Sequence, residues 1–242
     1  MLVERSILQL LEDRLNDPKA LLILGPRQTG KSTLLKEIAQ RVKKNQLFLN
    51  CDEAQSRETL ESTKSLSQLG NLIGQAKLVI VDEAQRVRDI GIILKLITDN
   101  FPDVKLVVSG SSAFELSNIT NEPLTGRKWE FLLLPFSTEE MVHHTSYFGE
   151  SGHLHRRMIY GMYPDVVNNP GNEQAILNEL ATSYLYKDIF TFQDVRKPDI
   201  LPKLLKALAV QVGSEVTFHN LAQVLETDTS TVQRYVDLLE KT

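Results

Sequence analysis

The strongest constraint on this chain is a spacing pattern. Five short, uniformly apolar runs recur in its first 135 residues: LLIL at 21–24, LFLN at 47–50, LVIV at 78–81, VKLVV at 104–108 and FLLL at 131–134. Runs this short and this uniformly apolar suit strands buried on both faces of a parallel sheet. Helical stretches such as STLLKEIAQRVKK and IGIILKLITDNF separate them. Strand alternating with helix predicts a doubly wound α/β layer structure. One more helix is expected ahead of the first run, because Val3, Ile7, Leu8, Leu11 and Leu15 fall at helical spacing before Asp17-Pro18 ends it.

After LPF at 134–136 the pattern changes. Ser137 with Glu140 three residues on reads as a capping box opening a helix. From there to about residue 200 the chain reads as helical, broken by GESG at 149–152 and by YPDVVNNPGNE at 163–173. A separate helical module follows. The expected division is therefore 1–135, 136–200 and 201–242.

The bulk numbers narrow the class further. A share of 42% hydrophobic and 24% charged residues is ordinary for a soluble globular chain. No apolar run approaches the roughly 20 residues that a membrane helix needs, and the N-terminus carries acids early with no small-residue cleavage site, unlike a signal peptide. The single cysteine, Cys51, rules out an internal disulfide and fits a reduced, cytoplasmic setting. A net charge of −4 gives the chain as a whole no polyanion-binding footprint.

The first apolar run ends in Gly25, and Gly25-Pro26-Arg27-Gln28-Thr29-Gly30-Lys31-Ser32 satisfies G-x-x-x-x-G-K-[ST] at every position, with Thr33 after it expected to join in binding phosphate. Such a loop wraps backbone N–H groups around phosphate oxygens, and its glycines permit the torsions and the close approach. A helix starting near Lys31 points its positive end at the same anion. Lys31 would reach the β and γ phosphates, and the Ser32 hydroxyl would ligate Mg²⁺.

The run at 78–81 leads into Asp82 and Glu83. A carboxylate leaving a strand there suits holding Mg²⁺ through water, the role expected of Asp82. Glu83 beside it would deprotonate an attacking water. A kinase passing phosphate to a small molecule should exclude water, so the pair favours ATP hydrolysis over phosphoryl transfer. Ser109, in the Ser109-Gly110-Ser111-Ser112 tip of the next run, is the expected γ-phosphate sensor, although SGSS also reads as a simple turn. Arg127, just before the fifth run, is the expected charge-compensating arginine; a surface or salt-bridge role is its alternative.

The ordered set GPRQTGKSTLL, VDEAQRV, VSGSSAFEL, LTGRKWEFLLLPFS, YGMYPDVV, YLYKDIF and FHNLAQVLETDTSTVQRYVDLLE, preceded by a helix, resembles the AAA-type P-loop ATPases of bacteria and archaea. The resemblance covers nearly the whole chain. It implies a P-loop core with a five-stranded, mostly parallel sheet, a helical lid, a winged-helix module and a further C-terminal domain. In such cores the Ser109 strand lies between the loop strand and the Asp82 strand, and the fifth strand is an edge beside the loop strand. Related ATPases often complete a site with an arginine from a neighbouring subunit, which makes a homo-oligomer an expectation and Arg127 its candidate. The sequence ends at Thr242, before any wing or further domain, and so reads as part of a longer protein.

The last stretch reads as helix, turn, helix, with Ser230 and Gln233 as a capping box. A DNA reader should present basic and amide side chains there. Between 214 and 242, however, Glu215, Glu226, Asp228, Asp237 and Glu240 outnumber Arg234 and Lys241, the wrong sign for phosphate contacts. DNA is thus a possible partner but not the favoured one. His143, His144, His153 and His155 lack companions at metal-ligand spacing, and Tyr184, Tyr186, Phe190 and Phe192 read as helix packing. The expected function is Mg²⁺-dependent ATP binding and hydrolysis as a molecular switch, with no protein client specified by the sequence. A nucleotide-gated DNA-associated regulator is the alternative, and a small-molecule kinase a weaker one.

Overall fold

The computed structural model describes residues 2–42, 45–111, 123–185 and 199–241, without the side chains of 183–185 and 240–241. Five strands form one sheet: β1 (Ala20–Leu24), β2 (Gln46–Asn50), β3 (Leu78–Asp82), β4 (Lys105–Gly110) and β5 (Lys128–Leu132), in the order β2-β3-β4-β1-β5. All four pairings are parallel. The sequence expectation of an α/β fold with β4 between β1 and β3 and with β5 at the edge is met.

Side-chain alternation along the strands explains the layers. Leu22, Leu24, Val79, Val81, Leu106 and Val108 face one side. There they pack with Leu60 of α3 (Ala54–Ser62), Leu69 of α4 (Leu66–Ile73) and Ile90, Leu94 and Ile97 of α5 (Ile90–Asn100). Leu21, Ile23, Leu78, Ile80 and Val107 face the other side. Their partners are Leu8 and Leu11 of α1 (Ile7–Glu12) and Leu34, Leu35 and Ile38 of α2 (Lys31–Arg41). Each fully buried leucine contributes about 2 kcal/mol, so two covered faces supply the main driving force. The alternation has period 2, and both phases are largely buried only in β1, β3 and β4.

Two strands depart from the expectation of burial on both faces. β2 and β5 are edges and are only partly covered. The fifth strand also begins at Lys128 rather than at 131. In-register pairing of Ala20–Leu24 with Lys128–Leu132 decides its position, not apolarity. Helix α1 is shorter than its apolar spacing suggested. Val3 lies before it, packed with Phe136 and Met141. Beyond Glu12 the chain turns, and the Lys105 ammonium takes the carbonyls of Arg14, Asp17 and Lys19 at 2.6, 2.7 and 2.7 Å.

The Ser137–Glu140 capping box is present and opens α6 (Thr138–His144). GESG does not break the next helix, α7 (Tyr147–Tyr160). Ser146 caps it by accepting from the Gly149 N–H at 3.0 Å, and Arg157 donates twice to Glu150. These bonds offset glycine's cost of about 1 kcal/mol in a helix. Short helices α8 (Pro164–Asn168) and α9 (Glu173–Glu179) follow.

The chain forms two compact units, 1–177 and 178–242, which divide inside the stretch read as one helical segment. The second unit holds α10 (Ile200–Val210), α11 (Phe218–Val224) and α12 (Thr229–Lys241) around Leu204, Leu221, Val232 and Tyr235. Its helix–turn–helix pair is as expected, but the cap of α12 is not Ser230. The Asp228 carboxylate accepts from the Thr231 N–H at 2.7 Å and from the hydroxyls of Ser230 and Thr231. Those hydroxyl bonds and the N–H hold Asp228 well below the usual carboxylate range. An ionised oxygen acceptor two residues earlier outcompetes the serine hydroxyl. The aromatic run at 184–192 lies outside the residues whose side chains are described.

Candidate functional site

Parallel pairing gathers the ends of β1, β3 and β4 at one edge of the sheet. Ile23 pairs with Ser109 and Val108 with Val81, so the loop after Leu24, the Ser109 tip and the Asp82-Glu83 pair are neighbours. Adjacent strands lie about 4.8 Å apart.

The loop at 25–33 is shaped by three positive torsions. Gly25 has φ 151°, Gln28 61° and Gly30 96°. A Cβ on Gly25 would sit 2.2 Å from the Leu133 carbonyl oxygen, so no other residue fits. Left-handed residues between right-handed ones turn successive N–H groups toward one centre, an anion-binding concavity. Gly30 is the N-cap of α2, which leaves the first-turn N–H groups without intrahelical partners. Lys31 is buried, and its ammonium donates to the carbonyls of Gly25 (2.9 Å) and Pro26 (2.8 Å). Thr29 is fully buried and donates to Pro26. Ser32 is half-buried, whereas Thr33 is exposed.

Asp82 is 3% exposed at the end of β3. The Ser109 hydroxyl donates to its carboxylate and accepts from the Glu83 N–H at 3.0 Å. Ser109 thus spends its one proton on Asp82 and is fully buried, instead of facing outward as a sensor would. Glu83 adopts φ 55° and ψ 43°, a left-handed conformation that costs a non-glycine residue about 1–3 kcal/mol. Gln85 donates to the Glu83 carboxylate at 2.6 Å and accepts from the Ser111 N–H at 3.4 Å. Sequence reading missed Gln85, since nothing local distinguishes it from a surface amide. Nearby, burial and then the Asp82 charge push the Cys51 thiol up to about 12, so it is an inert core residue.

Arg127 is not brought to this edge. Its carbonyl accepts from the N–H of Ala20, at the start of β1, one strand length of about 16 Å from the loop. Its guanidinium pairs with Asp99 at 2.5 Å, on a partly exposed surface. The expectation that Arg127 serves the phosphates of its own chain is therefore corrected: it fills the alternative, salt-bridge role. Ser112 lies outside the described residues.

The residues present fit a nucleotide with Mg²⁺. The positive torsions of Gly25, Gln28 and Gly30 give the loop the concave shape that suits an anion, and Asp82 with Ser32 supplies the hard oxygen donors Mg²⁺ prefers.

Arg5, which sequence reading did not single out, and Glu140, read there only as a capping-box residue, complete the surroundings. Arg5, 8% exposed, forms an ion pair with Glu140 at 3.0 Å and donates to the carbonyl of Thr29 at 2.8 Å. Arg5 precedes Leu8 by three positions and so falls on the buried stripe of the N-terminal segment, the one signal that marked it.

Comparison with known proteins then places the chain. A family model described as an AAA domain matches residues 17–142. The chain belongs to that family. A second model, described as a domain of unknown function, matches residues 151–242. The Walker-type ATPase of Pyrococcus abyssi shares the fold of this AAA protein, with a TM-score of 0.56 at 19% identity over 93% of this chain and 89% of that one. An uncharacterized protein of Haemophilus influenzae is 28% identical over 238 residues, 90% of this chain and 59% of that protein. One of Mycobacterium tuberculosis is 26% identical over 243 residues, 99% and 52% respectively. The AAA chain spans little more than half the length of these relatives. Membership supports nucleotide binding at the loop. Among the described residues no helix is long and apolar enough to cross a membrane.

Proposed function

We propose that the chain binds ATP at 25–33 and hydrolyses it with Mg²⁺, as a switch that reports nucleotide state to a protein client. The observation that carries this reading is the convergence of a phosphate-shaped loop with a buried Asp82 and an adjacent Glu83 at one sheet edge. Lys31 moves its charge from the Gly25 and Pro26 carbonyls to the β and γ phosphates, trading neutral acceptors for anionic ones. Ser32 and Asp82 would hold Mg²⁺, which would supply charge neutralisation for the phosphates. Ser109 fixes the Asp82 carboxylate. Glu83, once turned from Gln85, takes the proton of the attacking water.

Titration with a fluorescent ATP analogue tests the cradle: Lys31→Ala should lose most of the affinity, and unchanged binding would reject it. Labelled phosphate passed to an acceptor instead of water would favour the kinase alternative. The DNA-associated alternative has the helix–turn–helix pair for it and the acidic balance of 214–242 against it. Assembly into a homo-oligomer, with Arg127 of one copy serving another, remains a proposal that mixing Arg127→Ala with Lys31→Ala would test through recovered turnover.

A further inference from the structure

The Arg5 guanidinium is held on every side. Its Nε donates to Glu140, one terminal nitrogen to the Thr29 carbonyl at 2.8 Å, the other to the Leu134 carbonyl, and its plane lies 4.9 Å from the Phe136 ring centroid. Glu140 is equally committed, accepting from the Ser6 and Ser137 N–H groups as well as from Arg5. Removing one partner of a buried pair this completely bonded leaves the other charge buried and uncompensated. What it grips is a carbonyl of the phosphate loop.

The direction of that carbonyl matters. A trans peptide is planar, with its C=O and the following N–H antiparallel. Pinning the Thr29 oxygen outward therefore aims the Gly30 N–H the opposite way, into the concavity. A cradle must show N–H groups to the phosphate, and an inward carbonyl would repel it. The Gly25 and Pro26 carbonyls are held by Lys31, which is expected to leave them for the phosphates. Arg5 has no such second task.

We infer that Arg5 is a positioning residue that presets the phosphate cradle by holding the Thr29 carbonyl outward, with Glu140 in turn fixing Arg5. The inference rests on the reading of 25–33 as a phosphate site. It makes the N-terminal segment, and α6 through Glu140, part of the phosphate-binding apparatus rather than a mere cover for the sheet.

Pyrophosphate and ADP binding to the whole chain tests it, with melting temperature recorded for each variant. The double variant Arg5→Met/Glu140→Met removes both charges and leaves neither orphaned. It should bind both probes about 10- to 100-fold more weakly, the worth of one hydrogen bond from a charged donor. Arg5→Lys keeps a charge but cannot fork to Thr29, Leu134 and Glu140 together, and should recover part of that loss. Wild-type pyrophosphate affinity in either variant, folded, would overturn the proposal, and if the double variant fails to fold, Arg5→Lys decides alone. Lys31→Ala measured alongside separates the two claims. If it too binds like wild type, the phosphate reading itself has failed; if it loses binding while the Arg5 variants keep theirs, only the role of Arg5 has.

Discussion

Gly25 carries its role in one torsion and one contact. At φ 151°, with the Leu133 oxygen where a Cβ would go, the position admits no side chain. Gly25→Ala should cost at least about 1–3 kcal/mol of stability and abolish nucleotide binding by displacing the loop. Calorimetry with and without ADP checks both, and a variant with wild-type melting and binding would show that the loop tolerates the shift. At this scale the sequence was informative where chemistry is local. The loop, Asp82 and Glu83 could be named because motif and strand end are contiguous. Arg5, Glu140 and Gln85 act across folded contacts, up to 135 residues apart for Arg5 and Glu140, and no spacing reveals such a bond. Arg127 sits at the opposite end from the loop because, in a parallel sheet, a residue just before a strand lies at the edge where strands begin, whereas the loop lies where β1 ends.

Elements were legible where periodicity and pairing agree. β1, β3 and α2 fall where apolar runs and the loop put them, because burial on both faces and a helix start after Gly30 leave little choice. β5 slipped because an edge strand is set by its neighbour's hydrogen bonds. α12 began one cap earlier because Asp228 is the stronger acceptor. The capping box of α6 is also an acid-sensitive joint. Burial alone would raise the Glu140 carboxyl, but the N–H groups of Ser137 and Ser6 and the Arg5 guanidinium outweigh it and hold the group below its ordinary value of 4.5. A carboxyl depressed in the folded state stabilises above the unfolded value and loses that contribution as pH falls through the folded one. Stability of the chain should therefore drop below about pH 4.5, and Glu140→Gln should flatten that limb. Denaturant titrations at pH 3.5 and 6 would show it, and an unchanged pH dependence in the variant would remove Glu140 from the account.

For the molecule as a whole, the doubly wound unit supplies the site and the helical unit supplies charge of the wrong sign for nucleic acid. The chain should not form a sub-micromolar complex with duplex DNA at physiological salt, with or without ATP. A gel shift showing one would restore the DNA-associated reading. The central claim, that Glu83 drives ATP hydrolysis at a cradle that binds independently of it, is tested most directly by phosphate release from Mg²⁺-ATP by wild type and Glu83→Gln, with binding measured on the same samples. The account predicts retained binding and turnover lower by roughly 10²- to 10⁴-fold in the variant. Equal rates in the two proteins would contradict it.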